Sequence, residues 1–148
     1  MSEHMAQIAW SRDGKPFTYA EYSRDHQWRF EGGTTVAASA SPNYLGTAAL
    51  VDPEEAFVAA LSSCHMLSFL AIAAKKRFVV ESYADRAVGW LEHNADGRLA
   101  VTRVRLEPVI TWGERVPDDA VLDRIHHLAH EHCFIANSVT TEVTVVTR

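Results

Sequence analysis

The strongest constraint on the fold is one long apolar stretch, VDPEEAFVAALSSCHMLSFLAIAAKK, at residues 51–76. It opens with Asp52 and Pro53 followed by two glutamates. A capping side chain, a proline with fixed φ and acids in the first turn predict a helix start. Two lysines and Arg77 at the other end suit the negative end of a helix. Because Ala, Leu and Phe lie all round it, we predict a buried central helix.

The segments on either side of this helix favour an α+β fold. Candidate strands precede it at 7–10, 17–30 and 34–41 and follow it at 82–93, 98–112 and 138–146, with a second helix at 116–133. The turn sequence NADG predicts a hairpin, with Gly97 supplying the positive φ. The order β-β-β-α-β-β-α-β predicts antiparallel sheets packed around the central helix. A length of 148 residues predicts a single domain over 1–148.

Composition excludes several classes of function. The net charge is −5 and no basic run stands out, which argues against a nucleic-acid-binding protein. The N-terminus lacks a charged-then-apolar signal pattern, and polar residues such as Ser62 and His65 interrupt the apolar stretch. We therefore expect a cytoplasmic protein that does not span a membrane. Two cysteines in such a chain are inert core thiols or reactive ones, not a structural disulfide framework.

Cys64 lies in the middle of the predicted central helix. It is ten residues beyond Glu54, or about 15 Å along the helix axis. The helix dipole acts mainly within the first turn, so it cannot lower the pKa of this thiol, and burial would raise it. None of the nearest helical positions is charged. If Cys64 is reactive, a cation must come from another part of the chain.

The candidate strand at 17–30 supplies such a cation. Its alternate residues place Arg24 on one face with Tyr22, His26, Trp28 and Phe30. A guanidinium on a buried aromatic face needs a partner, and a carboxylate and a thiolate together would satisfy it. The alternatives stay open, since many buried cysteines are inert and many arginines pair at the surface.

Cys133 lies at the end of the second helix, in the sequence HEHCFIANSV. Together with Cys64 it could form a peroxidatic and resolving pair, in which a sulfenic acid condenses with a second thiol. The alternative is two unrelated core cysteines. In either case we expect no cofactor.

A metal site is a further alternative. His126, His130 and Cys133 are spaced i, i+4, i+7 on one helix face and could ligate a soft-ligand metal. No CxxC or HExxH pattern accompanies them. The apolar stripe of this helix already uses Ile125, Leu128 and Ala129, so we predict that most of these histidines lie on the solvent side.

At this point the sequence resembles the OsmC/Ohr family, the osmotically inducible protein C and organic hydroperoxide resistance proteins. The stretch at 51–76 is similar to the family's Asp-Pro-Glu start, apolar run and cysteine on a central helix. HEHCFIANSV is similar to the segment with the second cysteine, and YSRDHQW to the strand with the arginine. The similarity covers nearly the whole chain.

The resemblance implies an intertwined homodimer that reduces organic hydroperoxides with thiols as part of oxidative stress defence. Cys64 matches the peroxidatic cysteine, Cys133 the resolving cysteine and Glu54 the catalytic glutamate. Arg24 matches the arginine of the hydroperoxide-resistance branch, and the loop before the central helix contains no arginine that could replace it. The resemblance also implies regeneration by a dithiol reductant of the lipoyl-protein type.

The sequence departs from the family pattern at two positions. Phe134 replaces the proline that often follows the second cysteine, and His65 follows Cys64 where many members have an aromatic or apolar residue. Because about 15 Å separates Glu54 from Cys64 along one helix, their joint action would require two copies of the chain. The competing hypothesis is a non-enzymatic dimer with the same fold that binds a small ligand or is associated with stress.

Overall fold

The computed structural model describes residues 1–147 and confirms the predicted α+β class. The described elements comprise two α-helices and short strands, most of which pair in antiparallel. The chain divides into two compact units, Met1–Ala56 and Phe57–Arg148. Each unit has its own sheet structure.

The first unit contains a three-stranded antiparallel sheet. Its strands are β1 (Ala6–Ala9), β2 (His26–Phe30) and β3 (Thr35–Ala38), in the spatial order β1-β2-β3. Trp28 lies opposite Ile8 on one side and Val36 on the other. These cross-strand pairs fix the register of the sheet.

The long strand predicted at 17–30 is wrong for its first nine residues. Only His26–Phe30 is a strand, and 17–25, here called the arginine segment, forms turns. The main-chain N–H groups of Glu21 and Tyr22 donate to the carbonyl of Thr18. Because the segment satisfies its polar groups locally, it does not need a neighbouring strand. The assignment of Arg24 to an aromatic strand face is therefore wrong as well.

The central helix, α1 (Pro53–Lys75), begins and ends where the sequence predicts. Asp52 and Glu55 form a capping box. The N–H of Glu55 donates to Oδ1 of Asp52 at 2.8 Å, and the N–H of Asp52 donates to Oε2 of Glu55 at 3.1 Å. These two bonds satisfy donors that the first turn of a helix leaves without partners.

Only one face of α1 is buried within the single chain. That face is formed by residues at intervals of four, Leu61, His65, Phe69 and Ala73. Elsewhere the helix is partly or fully exposed, and Leu67 is 63% exposed. The prediction of burial all round is thus wrong for one chain. By length and composition α1 could also cross a membrane, a test that core helices of soluble proteins pass too.

The second unit is built from two antiparallel strand pairs. β4 (Val80–Asp85) pairs with β7 (Pro108–Trp112), and β5 (Val88–His93) pairs with β6 (Leu99–Leu106). Each of the two predicted long strands is therefore divided in two. At the break, the Asp85 carboxylate accepts the N–H of Glu107 at 2.7 Å and the hydroxyl of Ser62. The predicted turn at Gly97 is confirmed, with φ 74°.

The second helix and the last strand complete this unit. α2 (Asp119–Glu131) begins at Asp118, whose carboxylate accepts the N–H of Val121 at 2.8 Å. β8 (Glu142–Val145) pairs with β6 in parallel, which corrects the prediction of antiparallel strands only. Because α2 lies between β7 and β8 along the chain, the connection is long enough for a parallel crossover.

Two apolar clusters form the core of the second unit. The first joins α1 to α2 and contains Phe69, Ala73, Phe78, Ile125 and Ala129. The second joins α1 to β6 and contains Leu61, Val104 and Leu106. Both clusters pack against the buried face of α1, so they hold the middle of that helix, where Cys64 lies, in a fixed position.

Candidate active site

The structure brings the two cysteines together although 69 residues separate them in the sequence. Cys64 lies in the middle of α1 and is half-buried, and Cys133 lies just beyond the end of α2 and is 1% exposed. Both are free thiols, and they lie close enough together that Cys64 contributes to the raised pKa of Cys133. We call Cys64 and Cys133 the thiol pair. The sequence could not establish this contact.

The environment of Cys133 keeps its thiol neutral. Burial raises the pKa of Cys133 to about 11, and the neighbouring Cys64 thiol acts in the same direction. The N–H of Ala136 donates to the Cys133 sulfur at 3.4 Å and offsets part of this rise. At neutral pH Cys133 is therefore almost entirely protonated. The next residue, Phe134, is 79% exposed, so its ring lies in solvent and contributes little to the burial of this thiol.

A buried histidine pair joins α1, which carries Cys64, to α2, which leads to Cys133. Nε2 of His65 is 3.0 Å from Nδ1 of His126, and the two rings are nearly parallel, at 8°. His65 is 1% exposed and His126 is 5% exposed. Burial lowers the pKa of both groups to about 4, so both are neutral at pH 7.

The prediction that most of these histidines of α2 lie on the solvent side is confirmed for His127 and His130, and buried His126 is the exception. One signal in the sequence could have found it. Leu122, His126, Ala129 and Cys133 recur at intervals of three and four residues, which is a helical stripe. By contrast, His127 is exposed, as predicted, and pairs with Glu131 at 3.2 Å.

The three residues of the metal hypothesis do not form a site. His130 is exposed on the helix surface, whereas Nδ1 of His126 is occupied by His65 and Cys133 contacts Cys64. Within residues 1–147 no group of three His, Cys, Asp or Glu side chains could hold a metal ion.

Arg24 is held by its own segment. Its guanidinium donates to the carbonyls of Tyr19 and Tyr22, each at 2.5 Å, and lies 3.7 Å from the centre of the Tyr22 ring. Nε2 of His26 accepts the indole N–H of Trp28 at 2.9 Å, so Nδ1 carries the proton and donates to the carbonyl of Arg24 at 2.7 Å. The side chain and main chain of Arg24 are thus both fixed locally.

The residue next to Arg24 anchors the same segment to its sheet and loop. The Asp25 carboxylate accepts the hydroxyls of Thr47 and Ser39, at 2.7 and 2.9 Å. These bonds lower the pKa of Asp25 below its usual value. Asp25 thus ties the arginine segment to the end of β3 and to the loop before α1.

Glu54 lies in the first turn of α1 and is half-buried. The capping box is formed by its neighbour Glu55 with Asp52, so the Glu54 carboxylate takes no part in capping the helix. In the described part of the chain Glu54 and Arg24 form no ion pair, since carbonyl groups hold the guanidinium. The structure therefore assembles the two thiols and does not pair the arginine with the glutamate.

An open groove of about 530 Å³ is lined by residues that neighbour the two cysteines in sequence. Ser68 is one helical turn beyond Cys64, and Phe134 directly follows Cys133. The lining of the groove combines apolar side chains with two lysines and comprises Ser68, Ala71, Ile72, Lys75, Lys76, Leu128, His132 and Phe134. Its size and lining suit a small amphipathic molecule.

Comparisons of the sequence and of the fold with known proteins point to the same family. A family model described as OsmC-like protein matches residues 46–148. An OsmC-like protein of unknown function from Vibrio cholerae O1 biovar eltor str. N16961 is 55% identical, with a TM-score of 0.95 and 99% of each chain covered. No protein of curated function matches the sequence.

More distant structures share the fold. An organic hydroperoxide resistance protein OsmC from Legionella pneumophila has a TM-score of 0.72 at 15% identity, covering 99% of this chain and 98% of that one. An organic hydroperoxide resistance protein from Elizabethkingia anophelis has a TM-score of 0.73 at 15% identity, covering 100% and 98%. Because the family model spans most of the chain and the Vibrio relative is more than half identical, this chain belongs to the OsmC-like protein family.

Proposed function

We propose that the protein is a thiol-dependent peroxidase that reduces organic hydroperoxides to alcohols in oxidative stress defence. The observation that carries the proposal is the proximity of two free thiols drawn from distant parts of the chain, close enough for Cys64 to affect the pKa of Cys133. Neighbours in fold that are named organic hydroperoxide resistance proteins support the same chemistry. The proposal assigns different functions to the two sulfur atoms.

Burial decides which thiol attacks the peroxide. Cys133 is 1% exposed and its pKa is raised to about 11, so it holds its proton and is shielded from a bulky substrate. Cys64 is the more exposed of the two. Since the thiolate is the nucleophile and needs access, Cys64 is the peroxidatic cysteine and Cys133 the resolving one.

The cycle balances with one external dithiol. The Cys64 thiolate attacks the peroxide, the O–O bond breaks, and an alcohol leaves after taking up a proton, with sulfenic acid remaining on Cys64. The Cys133 thiol then condenses with that sulfenic acid to give a disulfide and water. A dithiol reductant of the lipoyl-protein type then reduces the disulfide by exchange and restores both thiols.

The attacking thiolate needs a positive charge that the middle of α1 does not supply. We assign this charge to Arg24, oriented by the carboxylate of Glu54 in a bidentate pair. Because Glu54 lies ten residues before Cys64 on the same helix, a second copy of the chain would contribute the arginine and the glutamate. The exposed apolar residues of α1, such as Leu67, support a homodimer that covers them.

A second candidate function is non-enzymatic binding of a small ligand. The groove of about 530 Å³ favours it, because a lining of apolar side chains and two lysines suits a small amphipathic anion. In that case the thiols would only pack. We propose in both cases a cytoplasmic protein that acts on small molecules, without a nucleic-acid or membrane partner.

Intact mass after oxidation tests the proposal directly. The reduced protein is mixed with one equivalent of cumene hydroperoxide, and a matched sample receives the corresponding alcohol. We expect a loss of about 2 Da in the first sample only, since disulfide formation removes two hydrogen atoms. Peptide mapping should then find Cys64 linked to Cys133. Two free thiols after exposure to excess hydroperoxide would refute the peroxidase and leave the ligand-binding function.

A further inference from the structure

The mechanism above leaves the buried histidine pair unused. His65 directly follows Cys64 on α1, and His126 lies on α2 seven residues before Cys133. Their ring nitrogens are 3.0 Å apart. The pair therefore links α1, one residue after Cys64, to α2, about two helical turns before Cys133.

The surroundings of the pair determine where its shared proton lies. Nδ1 of His65 is buried and has no hydrogen-bond partner within the described residues. A proton on that nitrogen would leave a buried N–H unsatisfied, which is more costly than a bare lone pair. His65 therefore donates from Nε2, and Nδ1 of His126 accepts. The result is one directional hydrogen bond between the two helices.

The charged groups around the pair leave this bond intact near neutral pH. Desolvation and the neighbouring His130 both disfavour a charge on His65, and desolvation outweighs the opposing effect of Asp123 and Asp85 on His126. Both rings are thus neutral, and the bond needs only one shared proton. The Phe69 ring, 4.5 Å from that of His126, closes the site on the α1 side.

Disulfide formation makes a strict demand on helix position. The two sulfur atoms must reach about 2.05 Å, with Cα atoms about 4.4 to 6.8 Å apart. Cys64 cannot move far, because two apolar clusters hold the middle of α1. Cys133 lies beyond the last turn of α2, where its position depends on how that helix is held.

We propose that His65 and His126 are positioning residues for the disulfide-forming step, in which their hydrogen bond holds α2 against α1 and keeps the Cys133 thiol within reach of Cys64. The inference rests on the proposed function. In this step the S–O bond of the Cys64 sulfenic acid breaks, an S–S bond forms, and the Cys133 proton leaves with the hydroxyl as water. The first oxidation of Cys64 does not depend on the pair.

Two substitutions at one position separate the hydrogen bond from the ring. His126→Asn places an amide oxygen where Nδ1 lies, so it keeps an acceptor for His65 and loses the ring. His126→Phe keeps a ring against Phe69 and loses the acceptor. His127→Asn, on the exposed side of the same helix, is the control. His65→Gln and His65→Phe repeat the comparison from α1.

The first measurement follows both steps after one equivalent of cumene hydroperoxide, by acid quench, thiol alkylation and mass spectrometry. We expect His126→Phe to form sulfenic acid at the wild-type rate and to form the disulfide about tenfold more slowly or worse. His126→Asn should form it within about threefold of the wild-type rate. A wild-type rate in His126→Phe, or a slower rate in His126→Asn than in His126→Phe, overturns the positioning function.

The second measurement does not require peroxide chemistry. Each folded variant is equilibrated with oxidised and reduced dithiothreitol, and the fraction of Cys64–Cys133 disulfide is measured. We expect His126→Phe to lower the equilibrium constant about fivefold or more, and His126→Asn to stay within about threefold. If the wild-type protein forms this disulfide but does not react with hydroperoxide, the proposed function fails. The comparison of the variants in dithiothreitol then decides the positioning function by itself. If neither variant differs from the wild type, the positioning function fails alone.

Discussion

The thiol pair and the arginine segment are held in place by different kinds of interaction. Cys64 and Cys133 meet because two helices pack through a core that joins residues far apart in sequence. Arg24 is held by the carbonyls of Tyr19 and Tyr22, within five residues of itself. The first arrangement depends on the whole second unit, and the second is a local turn.

This difference has a consequence for function. A thiol pair built into the core of one chain can form its disulfide without any partner. A guanidinium that is anchored by its own loop can be presented to a second copy of the chain without disturbing that core. We therefore expect changes at the thiol pair to affect the covalent chemistry and the stability. Changes in the arginine segment should affect only the rate of attack.

The largest effect should come from Cys64→Ser. We expect a loss of hydroperoxide consumption by about a thousandfold or more, because a hydroxyl at this position cannot act as the nucleophile at neutral pH. The measurement is consumption of cumene hydroperoxide in the presence of a dithiol. Circular dichroism should show an unchanged fold, and consumption near the wild-type rate would exclude Cys64 as the peroxidatic cysteine.

Cys133→Ser should stop the cycle after its first step. A first equivalent of hydroperoxide should be consumed at the wild-type rate, since Cys64 is intact. Without a resolving thiol the sulfenic acid should persist, and a second equivalent of hydroperoxide should oxidise it to sulfinic acid, seen as a total gain of about 32 Da in intact mass. Normal turnover without accumulation of sulfinic acid would show that Cys133 does not resolve the sulfenic acid.

The two regions also differ in how far the sequence predicts them. The start of α1 was predictable because Asp52, Pro53 and Glu55 act within four residues of each other. The turn at Gly97 was predictable for the same reason. Contacts between the thiols and between the histidines join residues that are more than 60 positions apart, and no local pattern encodes them.

The errors have a related physical cause. Alternation of residues suggested a strand through Arg24, but side-chain to main-chain bonds stabilise turns there instead, and these bonds compete with strand formation. The burial of His126 was not predicted, because the apolar stripe of α2 was assigned to Ile125, Leu128 and Ala129. Its burial requires His65 as a partner, and nothing near α2 in sequence indicates that partner.

Acid should destabilise the region of the thiol pair. The pKa values of His65 and His126 fall from the usual 6.5 to about 4 on folding, so the unfolded chain binds more protons between these values. The contribution of the neutral histidine pair to the free energy of unfolding is therefore fully present above pH 6.5 and is lost as pH falls toward 4. The free energy of unfolding should drop by up to about 2.7 kcal/mol per pH unit for the two groups together.

Urea denaturation at pH 7, 6 and 5 measures this loss before most carboxylates titrate. His126→Asn removes one of the two groups, so its stability should fall less steeply with acid. His127→Asn removes an exposed histidine and should follow the wild-type curve. A free energy of unfolding that stays constant from pH 7 to pH 5 would contradict the neutral buried pair.

Arg24→Met should slow the first oxidation of Cys64 by about tenfold to a hundredfold at pH 7, because the thiolate loses its stabilising cation. Arg29→Met, on the exposed part of β2, should stay within about twofold. Stopped-flow measurement of sulfenic acid formation compares the two variants. Equal rates in the two variants would exclude Arg24 as the cation that stabilises the thiolate.

The smallest effect should come from the aromatic ring beneath Arg24. The guanidinium lies 3.7 Å from the centre of the Tyr22 ring, and such a contact contributes about 0.5 to 1 kcal/mol at an accessible site. Tyr22→Leu should therefore slow sulfenic acid formation by about two- to fivefold.

Tyr22→Phe keeps the ring and should match the wild type. The carbonyl of residue 22 still accepts a hydrogen bond from Arg24 in both variants, so the difference between them isolates the ring. If Tyr22→Leu slowed the reaction as much as Arg24→Met, packing of the segment with Trp10 and Phe17 would be the dominant interaction, and the local anchoring of the guanidinium would not explain the rate.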